Sequence, residues 1–122
     1  MDTTVINDNP RSLKTGGHLS SRGILLVLSP NYFGRTFIVD SDSCILGRSD
    51  KADFSLNDDL ISREHCRIVR EEGNHFSIED LQSTNSSAIN GKRLKKKQQL
   101  CYGDRIRLGS TVLRFFREEE VS

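Results

Sequence analysis

The feature that most constrains this chain is a train of short apolar runs, each closed by a turn signal. The runs are G-I-L-L-V-L-S, R-T-F-I-V, S-C-I-L, D-F-S-L, H-C-R-I-V-R, H-F-S-I-E, D-R-I-R-L and T-V-L-R-F-F. Polar and apolar residues alternate most sharply in Arg105-Ile106-Arg107-Leu108 and His75-Phe76-Ser77-Ile78, the period of a strand with one buried face. Between the runs sit S-P-N-Y-F-G, D-S-D-S, E-E-G-N, N-G, Y-G-D and L-G-S, rich in the residues that favour turns. No stretch of eleven residues from Gly23 to Arg117 holds a helical stripe. The chain is therefore all-β, a sandwich or a barrel, and Phe76, Phe115 and Phe116 are expected in its core.

At 122 residues the chain makes one domain. Residues 1–22 are polar and contain Pro10 and Gly16-Gly17, the pattern of a disordered or tethered segment. Residues 23–117 form the domain, and residues 118–122 are a charged exit or linker. Charge narrows the function. Eighteen basic residues against 17 acidic leave a net +1, which argues against a general nucleic-acid binder. The run K-R-L-K-K-K, Lys92 to Lys97, reads as a solvated hairpin surface.

No run of eighteen apolar residues is present, so no helix crosses a membrane. The first ten residues lack the basic and apolar regions of a secretion signal. Cys44, Cys66 and Cys101 form an odd set without a C-x-x-C pair. Two of them lie among apolar residues, so buried free thiols in a reducing, cytoplasmic setting are expected. Pairing them with His65 as a zinc site needs ligands too far apart in sequence. No metal and no cofactor is expected.

Three segments carry anion-binding chemistry: Gly47-Arg48-Ser49-Asp50, Ser62-Arg63-Glu64-His65 and Ser83-Thr84-Asn85-Ser86-Ser87. Arg48 offers a planar five-donor fork suited to a carboxylate or phosphate. Ser62 and Thr84 offer short hydroxyls, Arg63 a second cation, and Asn85 the donor-acceptor pair needed to clamp a peptide main chain. None of these is a nucleophile with a base in evidence. Each segment borders a strand, so all three can be held rigidly around one groove.

These motifs resemble those of the forkhead-associated (FHA) domain, the phosphothreonine-peptide-binding β-sandwich. I-L-G-R-S is similar to the family's Gly-Arg motif, I-S-R-E-H-C-R-I to its Ser-x-x-His motif, and I-E-D-L-Q-S-T-N-S-S-A-I-N-G to its long Asn-Gly motif. L-x-x-G-D-R-I-R-L-G, ending at Gly109, is similar to the closing signature. The resemblance runs from about Gly23 to Phe116. It implies about eleven short strands in two antiparallel or mixed sheets, with binding loops at one end. It also implies phosphopeptide contacts from Arg48, Ser62, Arg63, Thr84 and Asn85, and loop support from Gly47, His65, Ser86, Ser87, Asn90 and Gly91.

Where the family has Asn-Gly-Thr, this chain has Asn85-Ser86-Ser87, and Ala88 stands where a larger side chain is usual. If that glycine serves a positive φ, Ser86 takes strain of about 1 kcal/mol. The implied role is a phosphothreonine-binding signalling module downstream of a Ser/Thr kinase. Its ligand is another phosphoprotein or its own N-terminus, where M-D-T-T-V-I-N-D resembles the threonine sites of small bacterial FHA regulators. Thr3 and Thr4 are the candidate phosphosites. The layout also resembles bacterial signalling proteins with a C-terminal output domain, GGDEF-class diguanylate cyclases among them.

Three rival readings are weaker. A Ser62-His65-Asp80 triad lacks a nucleophile elbow, so an enzyme is not expected. Nucleic-acid binding through Arg93 and Lys95 to Lys97 lacks spare aromatic residues for stacking. A module that has lost its phosphate dependence is the stronger alternative, resting on Ser86 and Ala88.

Overall fold

The computed structural model describes residues 21–118. Among the described residues, eleven strands form two sheets. They are β1 (Gly23–Val27), β2 (Thr36–Val39), β3 (Ser43–Gly47), β4 (Phe54–Ser55), β5 (Cys66–Glu71), β6 (His75–Asp80), β7 (Ser87–Ile89), β8 (Lys92–Arg93), β9 (Gln98–Gln99), β10 (Arg105–Leu108) and β11 (Thr111–Arg117). The six-stranded sheet has the order β2-β1-β11-β10-β7-β8, and the five-stranded sheet β4-β3-β5-β6-β9. Every pairing is antiparallel except β3 with β4, where Leu46 lies beside Phe54 in parallel register. The sandwich is therefore one antiparallel and one mixed sheet, closed into no barrel.

Alternation dictates which residues form the core. In β1, Gly23, Leu25 and Val27 point inward; in β11, Thr111, Leu113 and Phe115 do. From the opposite sheet come Leu46, Cys66, Ile68, Phe76 and Ile78, all at most 1% exposed. Burying each large apolar side chain is worth about 1.5–3 kcal/mol. Phe76 of β6 meets Phe115 of β11 edge to face, with ring centroids 5.6 Å apart, and this contact ties one sheet to the other.

Two expectations need correction. Phe116 is only half-buried. It follows inward-facing Phe115, so the pleat turns it to the outer face, where it packs edge-on against Tyr102. Cys44 and Cys66 are buried as expected, but Cys101 is exposed.

The ends of the sandwich are distinct. At one, Gly23 pairs with Arg117, and Arg22 Nη2 donates to Glu118 Oε2 at 2.7 Å. At the other, the turn between β10 and β11 lies beside the β4–β5 loop. There Gly109 sits at φ +58°, so close to Leu60 that a Cβ would lie 2.9 Å from the Leu60 carbonyl carbon. β11 runs between these ends, about 20 Å at 3.3 Å per residue.

Candidate phosphopeptide site

Gly47 closes β3 against the loop that precedes β5. A Cβ at Gly47 would lie 2.0 Å from the Arg63 carbonyl oxygen, so only glycine permits this approach. The contact aligns two backbone bonds, Arg48 N–H to Ser62 O at 2.9 Å and Ser49 N–H to Arg63 O at 3.1 Å. The Gly-Arg segment and the Ser-x-x-His segment are zipped together.

The Arg48 side chain is exposed, and its Nε donates to Ile61 O at 3.0 Å. That bond fixes the plane of the guanidinium and leaves both Nη groups without a partner among the described residues. Arg63 is also exposed; its Nη2 lies 3.5 Å from Ser49 Oγ, a long contact. Two cations thus stand at the same edge, one aimed and one loosely held.

His65 is fully buried and joins two loops. Its Nδ1 accepts from the Ser62 N–H at 3.0 Å, and its Nε2 lies 2.8 Å from Ser86 O. Both contacts are satisfied by the neutral ring with its proton on Nε2. Because both ring nitrogens are committed to backbone groups, His65 is no base for the Ser62 hydroxyl. The triad reading fails on this geometry.

Ser62 Oγ accepts the Thr84 N–H at 3.0 Å, which places the Ser62 hydroxyl with its proton still available to donate. The Thr84 hydroxyl has no partner among the described residues. Asn85 Nδ2 donates to Leu60 O at 2.9 Å, leaving one amide proton and Oδ1 for another ligand. Ser86 stands at φ +64°, the left-handed conformation that glycine adopts without strain.

Beneath this loop, Asp80 Oδ1 accepts from the hydroxyls of Ser83 and Ser87, each at 2.6 Å, and Oδ2 from the Ser83 N–H at 2.9 Å. Burial pushes the Asp80 carboxyl up, but these donors outweigh it and hold the group below the ordinary aspartate range. Asn90 and Gly91 form the two-residue turn from β7 to β8, both at positive φ. The Asn90 side chain bonds Asp104 and the Arg105 N–H, so it braces β10 instead of joining the loop cluster.

One supporting residue was not picked out from the sequence. Asp58 is buried in the β4–β5 loop. Its Oδ1 accepts the Leu60 N–H, and its Oδ2 accepts from Ser110 N–H, Ser110 Oγ and Thr111 Oγ1. Burial again pushes the carboxyl up and these donors bring it lower than usual. Asp58 thereby fixes Leu60, which carries Asn85. Its partners other than Leu60 lie 52 and 53 residues away, so no local pattern announces the link to β11.

At the loop end, then, Arg48, Ser62, Arg63, Thr84 and Asn85 border a common rim, held by Gly47, His65, Ser86 and Ser87. The available groups are guanidinium N–H, two hydroxyls and a primary amide. They suit a phosphate on an extended peptide.

The FHA domain family model matches residues 44–109. The FHA domain-containing protein FhaA of Mycobacterium tuberculosis is 39% identical over 80 residues, covering 66% of this chain and 15% of that protein. The oxoglutarate dehydrogenase inhibitor of Corynebacterium jeikeium is 30% identical over 82 residues, 67% of this chain and 56% of that protein. This chain thus spans a small part of the first relative and about half of the second. Among solved structures, one from a study of phosphothreonine-dependent FHA domain interactions superposes with a TM-score of 0.73. It shares 32% identity and covers 81% of this chain and 99% of its own.

Proposed function

This chain belongs to the FHA domain family, a family of modules that generally bind phosphothreonine peptides and are not enzymes, and from that membership we propose that it is itself a phosphothreonine receptor. The observation that carries the proposal is the set of uncommitted donors on one rigid rim: both Arg48 Nη groups, the Ser62 hydroxyl and the Thr84 hydroxyl. A phosphothreonine brings a charge near −2 and three strong acceptor oxygens. Arg48 meets it with charge-assisted bonds, the hydroxyls fill the remaining acceptors, and Asn85 holds the neighbouring main chain. Arg63 adds positive potential.

The ligand we propose is the chain's own N-terminus phosphorylated at Thr3 or Thr4 by a Ser/Thr kinase. Both residues lie outside the described part of the structure. The path is long enough on sequence arithmetic alone. Arg22 leaves at the end of the sandwich away from the loops, about 20 Å off along β11. A flexible tether of the 18 or so residues between Thr4 and Arg22 would have a root-mean-square reach of about 20–25 Å. Capture within one chain and exchange between two chains are both within reach, and the effective concentration favours the first in dilute solution.

The test is calorimetry of residues 20–122 with peptides of residues 1–10, unmodified, phosphorylated at Thr3 or phosphorylated at Thr4. Micromolar binding of one phosphopeptide, lost in Arg48→Ala, is the expected result. Losing that charge partner costs about 2–5 kcal/mol, roughly thirty-fold to several thousand-fold in affinity. Silence from all three peptides, with a phosphothreonine library still binding, discards the self-ligand alone. Silence from the library as well discards the phosphothreonine reading in favour of a phosphate-independent module.

A further inference from the structure

The pleat that sends Leu25, Val27, Leu113 and Phe115 into the core turns their chain neighbours to the outer face of the six-stranded sheet. Laterally paired residues share a face, so the strand registers give the rows of that surface. One row runs from β10 to β2 as Arg105, Arg114, Leu26 and Thr36. The next row toward the base runs Phe116, Ile24 and Ile38, and Tyr102 extends it by packing on Phe116. Tyr102 is 64% exposed and Ile38 40%. At the base, Glu118 is bonded to Arg22. Asp40, the residue after Val39, falls on the side of Ile38 and is exposed.

The face is therefore graded along one diagonal: cations on β10 and β11, apolar side chains across the middle, a carboxylate below β2. Arg105 and Arg114 stand directly opposite one another and both are exposed. Like charges so placed are destabilising, and no carboxylate shares their row. Arg114 turns its Nε to Gly103 O at 3.1 Å and its guanidinium over the Phe116 ring at 5.7 Å. The guanidinium of Arg105 and the carboxylate of Asp40 have no hydrogen-bond or ion-pair partner among the described residues. Each is matched by a group brought from outside.

We propose that this face pairs with the same face of a second copy, in a two-fold dimer whose axis passes between Phe116 and Ile24. An axis lying in the contact plane and crossing the diagonal at right angles reverses the gradient. Asp40 of each copy then meets Arg105 and Arg114 of the other, and the two apolar rows stack between these ion pairs. Stacking without that reversal sets arginine against arginine. Over β10, β11, β1 and β2 the face measures about 19 by 23 Å, roughly 450 Å² in plan on each copy. A contact of that size suits a reversible dimer, not a permanent one. Nucleic acid would use the arginines and leave the apolar row wet. A bilayer needs apolar groups that project further than half-buried side chains of a sheet. The inference goes beyond the phosphothreonine reading and does not depend on it.

The test is analytical ultracentrifugation of the full chain, produced without a kinase so that no phosphothreonine can link two copies. A reversible monomer–dimer equilibrium is expected, with a dissociation constant on the order of 100 µM. Ile24→Gln should weaken it about tenfold or more. The Arg105→Glu, Arg114→Glu double variant and the Asp40→Lys variant should each be monomeric, because each sets like charges against one another. Mixed one to one, the two should associate again, since both contacts between unlike copies are then attractive. Thermal melts near the parent's would show that each variant is folded. A parent that stays monomeric overturns the proposal, and so does a dimer that survives Ile24→Gln and the double variant. Folded variants that fail to associate on mixing overturn it as well. A monomer that instead sediments with phosphatidylserine vesicles through Arg105 and Arg114 replaces the second copy with a membrane surface.

Discussion

His65 Nε2 lies 2.8 Å from the carbonyl oxygen of Ser86, a residue held at φ +64°. A buried imidazole and a strained serine thus fix each other, and through Nδ1 the same ring fixes Ser62. The Ser62 loop and the Asn85–Ser86 loop share a single internal post.

Replacing His65 with alanine removes both bonds and leaves a cavity at a fully buried position. The expected loss is about 2–4 kcal/mol of stability, read as a lower urea midpoint with an unchanged slope. Phosphopeptide affinity should fall even at temperatures where the variant stays folded. A variant that unfolds earlier yet binds as tightly as the parent would deny His65 its loop-setting role.

Ser86→Gly should stabilise the chain, because glycine adopts positive φ at no steric cost. The gain is about 0.5–1 kcal/mol after the entropy of the more flexible unfolded chain is set against it. A rise of several degrees in the melting temperature follows for a domain of this size, on the order of 4–8 °C per kcal/mol. Ser86→Ala keeps the strained φ and should leave the melting temperature near the parent's. Equal shifts in both variants would remove backbone strain as the cause.

Gly47→Ala tests close approach instead of φ. Its added methyl collides with the Arg63 carbonyl oxygen and must force the two loops apart. A loss of about 2–4 kcal/mol is expected. Amide exchange at Arg48 and Ser49 should accelerate first, since their N–H groups bond Ser62 O and Arg63 O. Uniform acceleration across the whole sandwich would contradict a local zipper.

How much of this was legible in advance depended on what held each element. The runs in β1, β5, β6, β10 and β11 show because burial alternates along them, as in Arg105 to Leu108. β7, β8 and β9 do not show, because they are two or three residues long and exist through their partners. Gln98–Gln99 is wholly exposed and is a strand only because Ser77 and Ile78 pair with it. Arg48, Ser62, Thr84 and Asn85 were readable from short motifs. Asp58 was not, since three of its four donors come from the distant Ser110 and Thr111. The positive φ at Ser86 was legible as the glycine missing from its usual place.

Acid should loosen the loop end. Asp58 and Asp80 both have folded carboxyl values below the ordinary range, so the unfolded chain takes up protons first as pH falls. The stability they supply is whole above the unfolded aspartate value of about 4 and is lost as pH drops through the lower folded values. Urea midpoints measured from pH 7 to pH 3 should decline least steeply in the Asp58→Asn, Asp80→Asn double variant. Parallel decline in the parent and double variant would rule these two groups out.

Thiol chemistry should separate the cysteines. Burial, followed by the nearby Asp53 charge, pushes the Cys44 thiol up to about 12. Burial also raises Cys66, and Cys101 is exposed. Ellman's reagent should therefore titrate one thiol in the native chain and all three in denaturant. Rapid native reaction of two or three would mean that the Cys44–Cys66 region opens readily.

The pairing of Gly23 with Arg117, beside the Arg22–Glu118 bond, has a mechanical consequence. β1 and β11 are antiparallel neighbours whose outer ends meet at one point. Tension applied through the two flanking segments would peel this pair open rung by rung, instead of shearing the whole ladder at once. The first rungs to part lie at Gly23 and Arg117, and the last lie near Val27 and Leu113, toward the loop end. Under load, the domain would yield from its base while its loop end was still intact.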